Sequence, residues 1–184
     1  MATQSDQRLL TSAEFLRIDF GSDIKAELDN GVIRMMAGGS VEHARVQMNL
    51  YRYLGLTLRG SGCRPFGSDM AIETAHRSTR YPDVTVDCSR TTADDAKALS
   101  DPRVIFEILS PSTRREDEGV KLDEYSQLAS VDTIVLVDPS IERVRILQRA
   151  SPEEWNDRRF LRPTDVALPS LGITIPHDEI FARD

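Results

Sequence analysis

Several features that mark membrane, secreted and zinc-binding proteins are missing from this sequence. No apolar run comes close to the roughly 20 residues that a helix needs to cross a bilayer, so no membrane partner is expected. The amino terminus, MATQSDQRLL, lacks the charged-then-apolar pattern of a signal peptide, which favours a cytoplasmic location. The two cysteines, Cys63 and Cys88, form no CxxC motif, and we interpret them as buried thiols rather than a disulfide or a metal site.

The common cofactor and zinc motifs are also absent. The chain has no GxxxxGK[ST] phosphate loop, no GxGxxG turn and no HExxH helix. Its 3 histidines are scattered, which argues against a histidine-rich metal centre. Its single tryptophan argues against the aromatic cleft of a sugar hydrolase.

The chain lacks the excess of positive charge that is typical of proteins that bind nucleic acid tightly. Its 23 lysines and arginines are outnumbered by 30 acidic residues, and the net charge is −7. Acidic metal ligands contribute to such a balance, and a bound divalent cation would reverse the local field. The net charge therefore predicts that the protein binds nucleic acid weakly or transiently. The basic residues do cluster near the carboxyl end, at Arg143, Arg145, Arg149, Arg158, Arg159 and Arg162.

The length of 184 residues fits a single domain, which we predict to span 1–184 with a core at about 11–180. Thr11 and Glu14 have the spacing of a capping box, which predicts a short first helix. Apolar residues recur at helical spacing from about 41 to 59. Strand patterns occupy 24–36, as a hairpin with an Asp-Asn-Gly turn, and 63–66, 69–73 and 81–88.

Two apolar runs, 104–110 and 133–138, predict strands that are buried on both faces at the centre of a sheet. The segment between them, about 113–128, predicts a helix, and Thr113 and Glu116 have the spacing of a second capping box. A strand, a helix and a strand in this order predict a right-handed crossover. The whole pattern indicates an α/β protein with a central mixed sheet flanked by helices.

The carboxyl-terminal part of the sequence predicts the edge of that sheet. Residues 142–149 alternate between polar and apolar side chains, as an edge strand does. An exposed edge pairs readily with a second copy of the chain, which favours a homodimer. The remainder, with Trp155 and the PSLGITI segment, is expected to close the sheet and cover the core.

Glu107 is the most informative residue for function, because it interrupts an apolar strand between Phe106 and Ile108. A carboxylate buried there costs several kcal/mol unless it is paired, protonated or bound to a cation. One interpretation is a glutamate at a strand end whose side chain reaches solvent. The alternative, which we favour, is a metal ligand or an acid–base group.

Asp83 and Lys121 are the natural companions of Glu107. Asp83 lies near the start of a strand, and two carboxylates on adjacent strands can present hard oxygen ligands to Mg²⁺. Such a site suits hydrolysis of a phosphodiester. Taken alone, however, Asp83 can simply follow a proline into a strand. Lys121 can likewise be an ordinary surface lysine that pairs with Asp117 four positions earlier.

A family resemblance favours the interpretation of these residues as a site. The string PDVTVD, followed by VIFEILSPSTRREDEGVKLDEYSQLASVDTIVLVDP, resembles the Uma-type restriction endonuclease family within the PD-(D/E)XK nuclease superfamily. The likeness extends upstream through AELDNGVIRMMAGGSVEHARV and downstream to PSLGITI, so it covers about 11–180. The part from Glu107 through Lys121 to Tyr125 is specific, whereas the Pro-Asp pair alone is not.

The resemblance implies a restriction-endonuclease-like core that binds Mg²⁺, or Mn²⁺ in its place. Asp83, Glu107 and the backbone carbonyl of Ile108 would be the metal ligands. The superfamily pattern has a lysine two residues after the glutamate, where this chain has Leu109. The Uma-type variant supplies the lysine from the following helix, as Lys121, to orient the attacking water or stabilise charge on the phosphate.

Two further residues match family positions, each with a structural alternative. Glu27 is either an additional acidic group of the site or an ordinary strand-edge glutamate. His43 either touches substrate or caps and packs its helix. We interpret three other aspartates as structural or solvated, namely Asp69, Asp87 and Asp117.

The sequence thus predicts an Mg²⁺-dependent endonuclease that hydrolyses DNA or RNA, with DNA favoured. The alternative is a non-catalytic nucleic-acid-binding or protein-interaction module that keeps the fold; Leu109 and the acidic net charge favour it. The geometry of the site distinguishes the enzyme from the non-catalytic module. An enzyme needs Asp83, Glu107 and Lys121 to converge on one pocket, whereas a module would disperse them or neutralise Glu107 with an arginine.

Overall fold

A six-stranded sheet forms the centre of the structure, which is a computed structural model that describes residues 8–21, 24–36 and 38–183. The helices are α1 Ser12–Phe15, α2 Val41–Thr57, α3 Arg114–Asp117, α4 Val120–Gln127 and α5 His177–Phe181. The first strands are β1 Ala26–Asp29, β2 Val32–Met35, β3 Arg64–Gly67, β4 Ile72–Ala75, β5 Ser78–Arg80 and β6 Val84–Asp87. The later ones are β7 Pro102–Ile108, β8 Thr133–Asp138, β9 Arg143–Ser151, β10 Glu154–Arg159, β11 Val166–Leu168 and β12 Ile173–Ile175.

The central sheet has the order β10-β9-β8-β7-β6-β3 and is mixed. Strands β7 and β8 are parallel, with Phe106 paired to Val135, and the other neighbours are antiparallel. The two continuous apolar runs are therefore the two middle strands, as predicted. The helical segment between them connects two parallel neighbours, which confirms the predicted crossover connection.

The two faces of this sheet are covered by different helices. On one face, Val84 and Phe106 pack with Leu50 and Leu54 of α2 in a fully buried cluster. On the other face, Ile105 and Ile134 pack with Leu122 and Tyr125 of α4. Each such apolar side chain contributes about 2 kcal/mol when it is buried. The predicted architecture, a mixed sheet flanked by helices, is confirmed.

A second sheet lies beside the first and was not predicted. It has four strands in the order β2-β1-β5-β4. The predicted hairpin is its β1–β2 pair, and Asn30 and Gly31 make the turn with φ values of 47° and 85°. A Cβ atom at Gly31 would also lie 2.7 Å from the Cβ of Leu9. Both the positive φ and this close contact therefore require glycine at this position. Strand β5 pairs with β1 and thereby brings Arg80 next to Glu27.

The predicted helix 113–128 is broken, and its predicted capping box is wrong. Thr113 has helical dihedral angles and makes no capping hydrogen bond. Glu116, which a capping box needs, instead reaches Arg80 at 3.3 Å. The chain turns at Gly119, where a Cβ atom would lie 2.9 Å from the carbonyl oxygen of Arg115. Glu116 therefore binds Arg80 instead of the backbone N–H of Thr113, which the predicted capping box required. The capping box of Thr11 and Glu14, by contrast, is confirmed.

The edge of the central sheet was assigned to the wrong strand. Residues 143–151 form β9, which pairs with β8 on one side and β10 on the other. Strand β10, with Trp155, is the edge. The predicted homodimer, which rested on an exposed edge, stays a prediction and now concerns β10. The PSLGITI segment contributes to a separate β11–β12 pair, whose Val166 and Ile175 cover the core on the α2 side.

The interpretation of the two cysteines as free thiols is wrong, because Cys63 and Cys88 form a disulfide with Cα atoms 4.0 Å apart. The reason is the β3–β6 register. Arg64 pairs with Asp87, so the next pair in the antiparallel ladder is Cys63 and Cys88. The spacing of 25 residues gives no hint of this, because it spans three turns. The predicted cytoplasmic location loses the support it had from free thiols.

The start of the chain and its membrane status need only brief comment. The segment that was found unlike a signal peptide lies for the most part outside the described residues. Across 8–21, 24–36 and 38–183, none of the helices has the length and apolarity required to cross a bilayer.

Candidate active site

Glu107 lies on the central strand β7, on the face that α4 covers, and only 3% of it is exposed. The hydroxyl of Tyr125 donates a hydrogen bond of 2.6 Å to its Oε1. The Nζ atom of Lys121 lies 3.5 Å from the same oxygen. The interpretation in which this glutamate reaches solvent at a strand end is therefore wrong, and no arginine neutralises it among the described residues.

Lys121 is 6% exposed and points into the protein, not into solvent. Its Nζ lies 3.2 Å from Glu27 Oε1 and 3.4 Å from Asp117 Oδ1, in addition to Glu107. The expected pair of Asp117 and Lys121 is present, but it is buried rather than solvated. Lys121 and Tyr125 are four residues apart on α4 and therefore lie on one face of it, whereas Asp117 comes from α3, across the break at Gly119.

Asp83 immediately precedes β6 and reaches the end of β7. Its Oδ2 accepts a hydrogen bond of 2.7 Å from the backbone N–H of Ile108 and lies 3.1 Å from His43 Nε2. The side chain of Gln47 donates to the backbone carbonyl of Asp83 at 2.8 Å. The register of β6 and β7 pairs Val84 with Phe106, so its continuation sets Asp83 opposite Glu107. Residues directly opposite in such a pair have Cβ atoms about 5 Å apart.

The same register explains why the carbonyl of Ile108 is available. Continuing the ladder sets Ile108 opposite Pro82. In an antiparallel pair of this kind the two residues exchange N–H···O bonds, so the N–H and C=O of one residue point to the same side. Proline has no N–H to give. By this extension of the register, the Ile108 carbonyl is expected to face the Asp83 side, where Pro82 has no N–H to donate to it.

Arg80 supports the site from behind and is fully buried. Its guanidinium bonds Glu27, at 3.4 Å, and Glu124, at 2.8 Å. Asp29 and Glu116 complete its surroundings at 3.1 Å and 3.3 Å. Glu27 thus bridges Arg80 and Lys121, and it also accepts a hydrogen bond from the backbone N–H that follows Arg80. Of the two readings of Glu27, the ordinary strand-edge glutamate is wrong.

The charges in this cluster do not balance. Burial raises the pKa of Glu107 to about 8, and the charge of Asp83 adds to this. Burial also raises the pKa of Asp117. Burial alone would lower the pKa of Lys121, but the surrounding carboxylates raise it above its usual range. One ammonium group is therefore shared by three buried carboxylates, and burial disfavours the ionised form of Glu107.

His43 approaches from the opposite side, at the start of α2. Its backbone N–H donates to the N-cap Ser40, while its ring contacts Asp83. The hydrogen bond with Asp83 raises the pKa of His43, and the charges of Asp83 and Asp117 act in the same direction. The backbone of His43 thus takes part in the helix cap, whereas its ring binds the Asp83 carboxylate.

The five predicted side chains, those of Asp83, Glu107, Lys121, Glu27 and His43, are thus brought together. Asp87 lies outside the site and accepts backbone N–H groups of Ser89 and Asp101, as a structural residue does. Asp69 is an exposed partner of Lys25. The sequence missed Tyr125, Arg80 and the burial of Asp117. Helical spacing around Lys121 points to Tyr125 and Asp117, but the sequence has no signal for Arg80.

The fold has a close counterpart among solved structures. A crystal structure from Anabaena variabilis, described as a "putative nuclease belonging to DUF820", superposes with a TM-score of 0.75. The match covers 94% of this chain and 98% of the other, at 18% sequence identity. The chain therefore has the fold of that protein, in agreement with the restriction-endonuclease-like core that the resemblance implied.

The sequence comparisons place the chain in a family. It belongs to the Uma2 family, described as "Putative restriction endonuclease", which residues 12–176 match. The uncharacterized protein sll1609 of Synechocystis sp. is 30% identical over 158 residues, which are 84% of this chain and 89% of that protein. A second protein of that organism, slr1290, is 25% identical over 173 residues, or 94% and 91% of the two chains.

Proposed function

We propose that this protein is a divalent-metal-dependent endonuclease that hydrolyses phosphodiester bonds of DNA, with Mg²⁺ as its ion and Mn²⁺ as a substitute. The observation that carries the proposal is the convergence of Asp83, Glu107 and Lys121 at the end of β7. A lysine on a separate helix is buried against the glutamate of a central strand. Membership of the Uma2 family supports a nuclease, and the geometry supports this particular site.

The donor set fits a hard cation. Each carboxylate binds the protein through one oxygen, and neither Asp83 Oδ1 nor Glu107 Oε2 accepts a hydrogen bond from a described residue. Together with the carbonyl of Ile108, they offer three oxygen ligands. No group of three His, Cys, Asp or Glu side chains suited to a metal ion occurs within the described residues. Mg²⁺ does not require one, because it binds through one or two carboxylates and keeps several waters.

Asp83, Glu107 and the Ile108 carbonyl would hold the ion. When bound, such an ion polarises phosphoryl oxygens and makes water a stronger acid. Lys121 donates hydrogen bonds to a phosphate oxygen as negative charge develops there, and it orients the attacking water. It can do so because Glu27 fixes its side chain from one side.

Three other residues position this set. His43 fixes the carboxylate of Asp83, and Tyr125 fixes that of Glu107. Arg80 fixes Glu27 and so acts on the lysine indirectly. We assign Glu27 and His43 to positioning rather than to contact with substrate. A divalent cation would stabilise the ionised form of the clustered carboxylates, which burial alone disfavours.

Calorimetry with MgCl₂ and MnCl₂ tests the site. The parent should bind, whereas Asp83→Asn and Glu107→Gln should lose binding, because each removes a charged ligand without changing shape. Asp87→Asn is the matched control, since it alters a buried carboxylate at the opposite end of the same strand. It should bind as the parent does. Cleavage of plasmid DNA and of a structured RNA, measured on the same variants, then tests activity and substrate.

The outcome also decides between the enzyme and the non-catalytic module. Leu109 occupies the usual lysine position and is buried in the core, and the net charge is −7. These facts favour a module. Absence of metal binding by the parent, even with a DNA duplex present, would overturn the enzyme proposal and support the module.

A further inference from the structure

A cleft of about 580 Å³ lies at the far end of α2 from the candidate active site. It is enclosed by the end of that helix, by the loop that leads into β3 and by the segment after β6. Its lining includes Arg59, Arg64 and Arg90, together with Gly60 and Gly62. The cleft is therefore basic, in a protein whose net charge is −7.

The three arginines do not pair with any residue in the part of the chain that the structure describes. None of the side chains of Arg59, Arg64 and Arg90 forms an ion pair or a hydrogen bond with a described residue. All three are exposed. No acidic residue occurs among the described residues that line the cleft. Their guanidinium groups are thus available to an anion.

Three of the six arginines that cluster near the carboxyl end, those of β9, bind other parts of the protein. Arg145 binds Asp157 through two hydrogen bonds of 2.9 and 2.7 Å. Arg149 donates to backbone carbonyls, among them that of Leu128 at 2.7 Å, and stacks on Trp155. Arg143 donates to carbonyls of its own turn. The arginines of β9 in that cluster are structural.

The walls of the cleft suit a phosphate backbone. Gly60 and Gly62 have positive φ values of 82° and 90°, and the loop they form presents backbone without bulky side chains. The disulfide of Cys63 and Cys88 links the loop to the end of β6, so it fixes Arg64 relative to Arg90. The guanidinium group of arginine suits such a backbone, because it can donate two parallel hydrogen bonds to two oxygens of one phosphate.

The distance to the active site matches a long substrate. His43 contacts Asp83 at one end of α2, and Arg59 lies 16 residues further along. At 1.5 Å per helical residue this separation is about 24 Å. Duplex DNA rises 3.4 Å per base pair, so 24 Å corresponds to about seven base pairs. A mononucleotide would be too short to reach both places.

We infer that the cleft formed by Arg59, Arg64 and Arg90 binds the phosphate backbone of a nucleic-acid duplex, about seven base pairs from the scissile bond. The inference rests on the proposed nuclease function and adds the surface that holds the substrate. It also explains how an acidic protein binds a polyanion, because the cleft brings three arginines together with no acidic residue among the described residues that line it.

Fluorescence anisotropy of a labelled 20-base-pair duplex, a length of about 68 Å, tests the inference. It is measured in Mg²⁺ at several salt concentrations, with Glu107→Gln as background so that the duplex stays intact. Arg59→Gln, Arg64→Gln and Arg90→Gln are combined in one variant. The control combines Arg17→Gln, Arg77→Gln and Arg162→Gln, which remove the same charge from exposed arginines elsewhere.

The cleft variant should bind at least about tenfold more weakly, and the slope of log K against log salt should fall by about 0.9 for each phosphate that the arginines no longer neutralise. The control should change little in either respect. Equal weakening in the two variants would overturn the inference, because it would show a general effect of net charge. Binding of inorganic pyrophosphate through the same arginines, without binding of the duplex, would also overturn it.

Cleavage by the same arginine variants, without the Glu107→Gln background, separates this inference from the proposed function. Arginine-dependent binding without any cleavage by the parent would support the cleft and contradict the nuclease. Cleavage by the parent, together with unchanged duplex binding in the cleft variant, would support the nuclease and contradict the cleft. Absence of duplex binding by the parent would overturn both.

Discussion

Glu107 loses its water on folding without gaining a counter-charge of its own. Lys121 is shared with Glu27 and Asp117, and Tyr125 donates only a neutral hydrogen bond. A group in this position costs stability in the metal-free protein. Such a cost is typical of functional sites, where stability is given up for chemistry.

The first prediction is that Glu107→Gln does not destabilise the metal-free protein. The free energy of unfolding should be unchanged or about 1 kcal/mol higher, because the amide removes a desolvated charge. The pKa of Glu107 is raised in the folded state to about 8. The folded state therefore binds its proton more tightly than the unfolded state, and this group's contribution to stability falls as pH rises from about 4.3 towards 8. The advantage of the variant should grow across that range.

Urea unfolding in EDTA, between pH 5 and 9, measures this effect. Lys121→Met serves as the comparison, because it leaves several carboxylates without their cation and should cost about 3 kcal/mol or more. A loss above about 2 kcal/mol in Glu107→Gln, larger than the ordinary effect of a substitution, would show that this carboxylate is a structural ion-pair partner.

The sequence predicts single residues of the site to the extent that local pattern exposes them. Glu107 can be found because a carboxylate interrupts an apolar strand. Lys121 has the pattern of a surface lysine, and only the family resemblance singles it out. Arg80 cannot be found, because the residues that bind it come from β1, α3 and α4, and nothing near it in the chain indicates burial.

At the scale of elements, the connection between β7 and β8 determines how the site is assembled. Arg114, at the start of α3, binds Asp138, at the end of β8, at 2.6 Å. Burial alone would raise the pKa of Asp138, but hydrogen bonds from Ser140 and from Arg114 lower it below its usual value. The pair therefore ties the first turn of the crossover to the sheet.

The second prediction concerns the pH dependence of this pair. The folded pKa of Asp138 is lowered, so its contribution to stability is present above the unfolded value of about 3.9 and is lost as pH falls through the folded value. Asp138→Asn should cost about 1 kcal/mol at pH 6, and the difference from the parent should shrink below about pH 4. Urea unfolding at both pH values measures it. Asp69→Asn, in an exposed pair, is the control; a difference independent of pH would refute the account.

Elements are predicted well where their signal is strong and poorly where tertiary contacts decide. The two apolar runs could be assigned to the sheet centre because few other places accommodate them. Strand β10 is almost entirely polar apart from Trp155, so it has no strand pattern, and β9 took its place as the predicted edge. The predicted capping box failed because Glu116 contacts Arg80, which lies far away in the sequence and which no local rule contains.

At the scale of the whole molecule, the disulfide encloses half of the second sheet. Cys63 and Cys88 are 25 residues apart, and β3, β4, β5 and β6 lie between them. A cross-link of this length restricts the unfolded chain and contributes about 3 kcal/mol in the loop-entropy treatment. It lies at the cleft, away from the candidate active site.

The third prediction is that reduction lowers the free energy of unfolding by about 3 kcal/mol. Urea unfolding with and without a phosphine reductant measures the change. A Cys63→Ser, Cys88→Ser variant is the control: it should unfold like the reduced parent and should not respond to the reductant. Identical unfolding of the oxidised and reduced parent would contradict the prediction.

The distribution of charge over the surface is the whole-molecule property that the sequence reveals least. A sum of −7 predicts weak binding, yet the same residues place three arginines together and leave acidic residues in a separate buried cluster. The sum contains no information about this separation, which arises only when α2 sets the two regions at its opposite ends.

Because Lys121 lies on α4 and Glu107 on β7, the site exists only while a helix of 8 residues stays attached to the sheet. A lysine two positions after the glutamate would hold its place for as long as the strand existed. Under the proposed function, a local opening of α4 that leaves the sheet folded would separate Lys121 from Glu107 and so abolish catalysis. Activity and global unfolding would then have different midpoints in denaturant, and the rate of turnover would report the equilibrium between attached and detached helix.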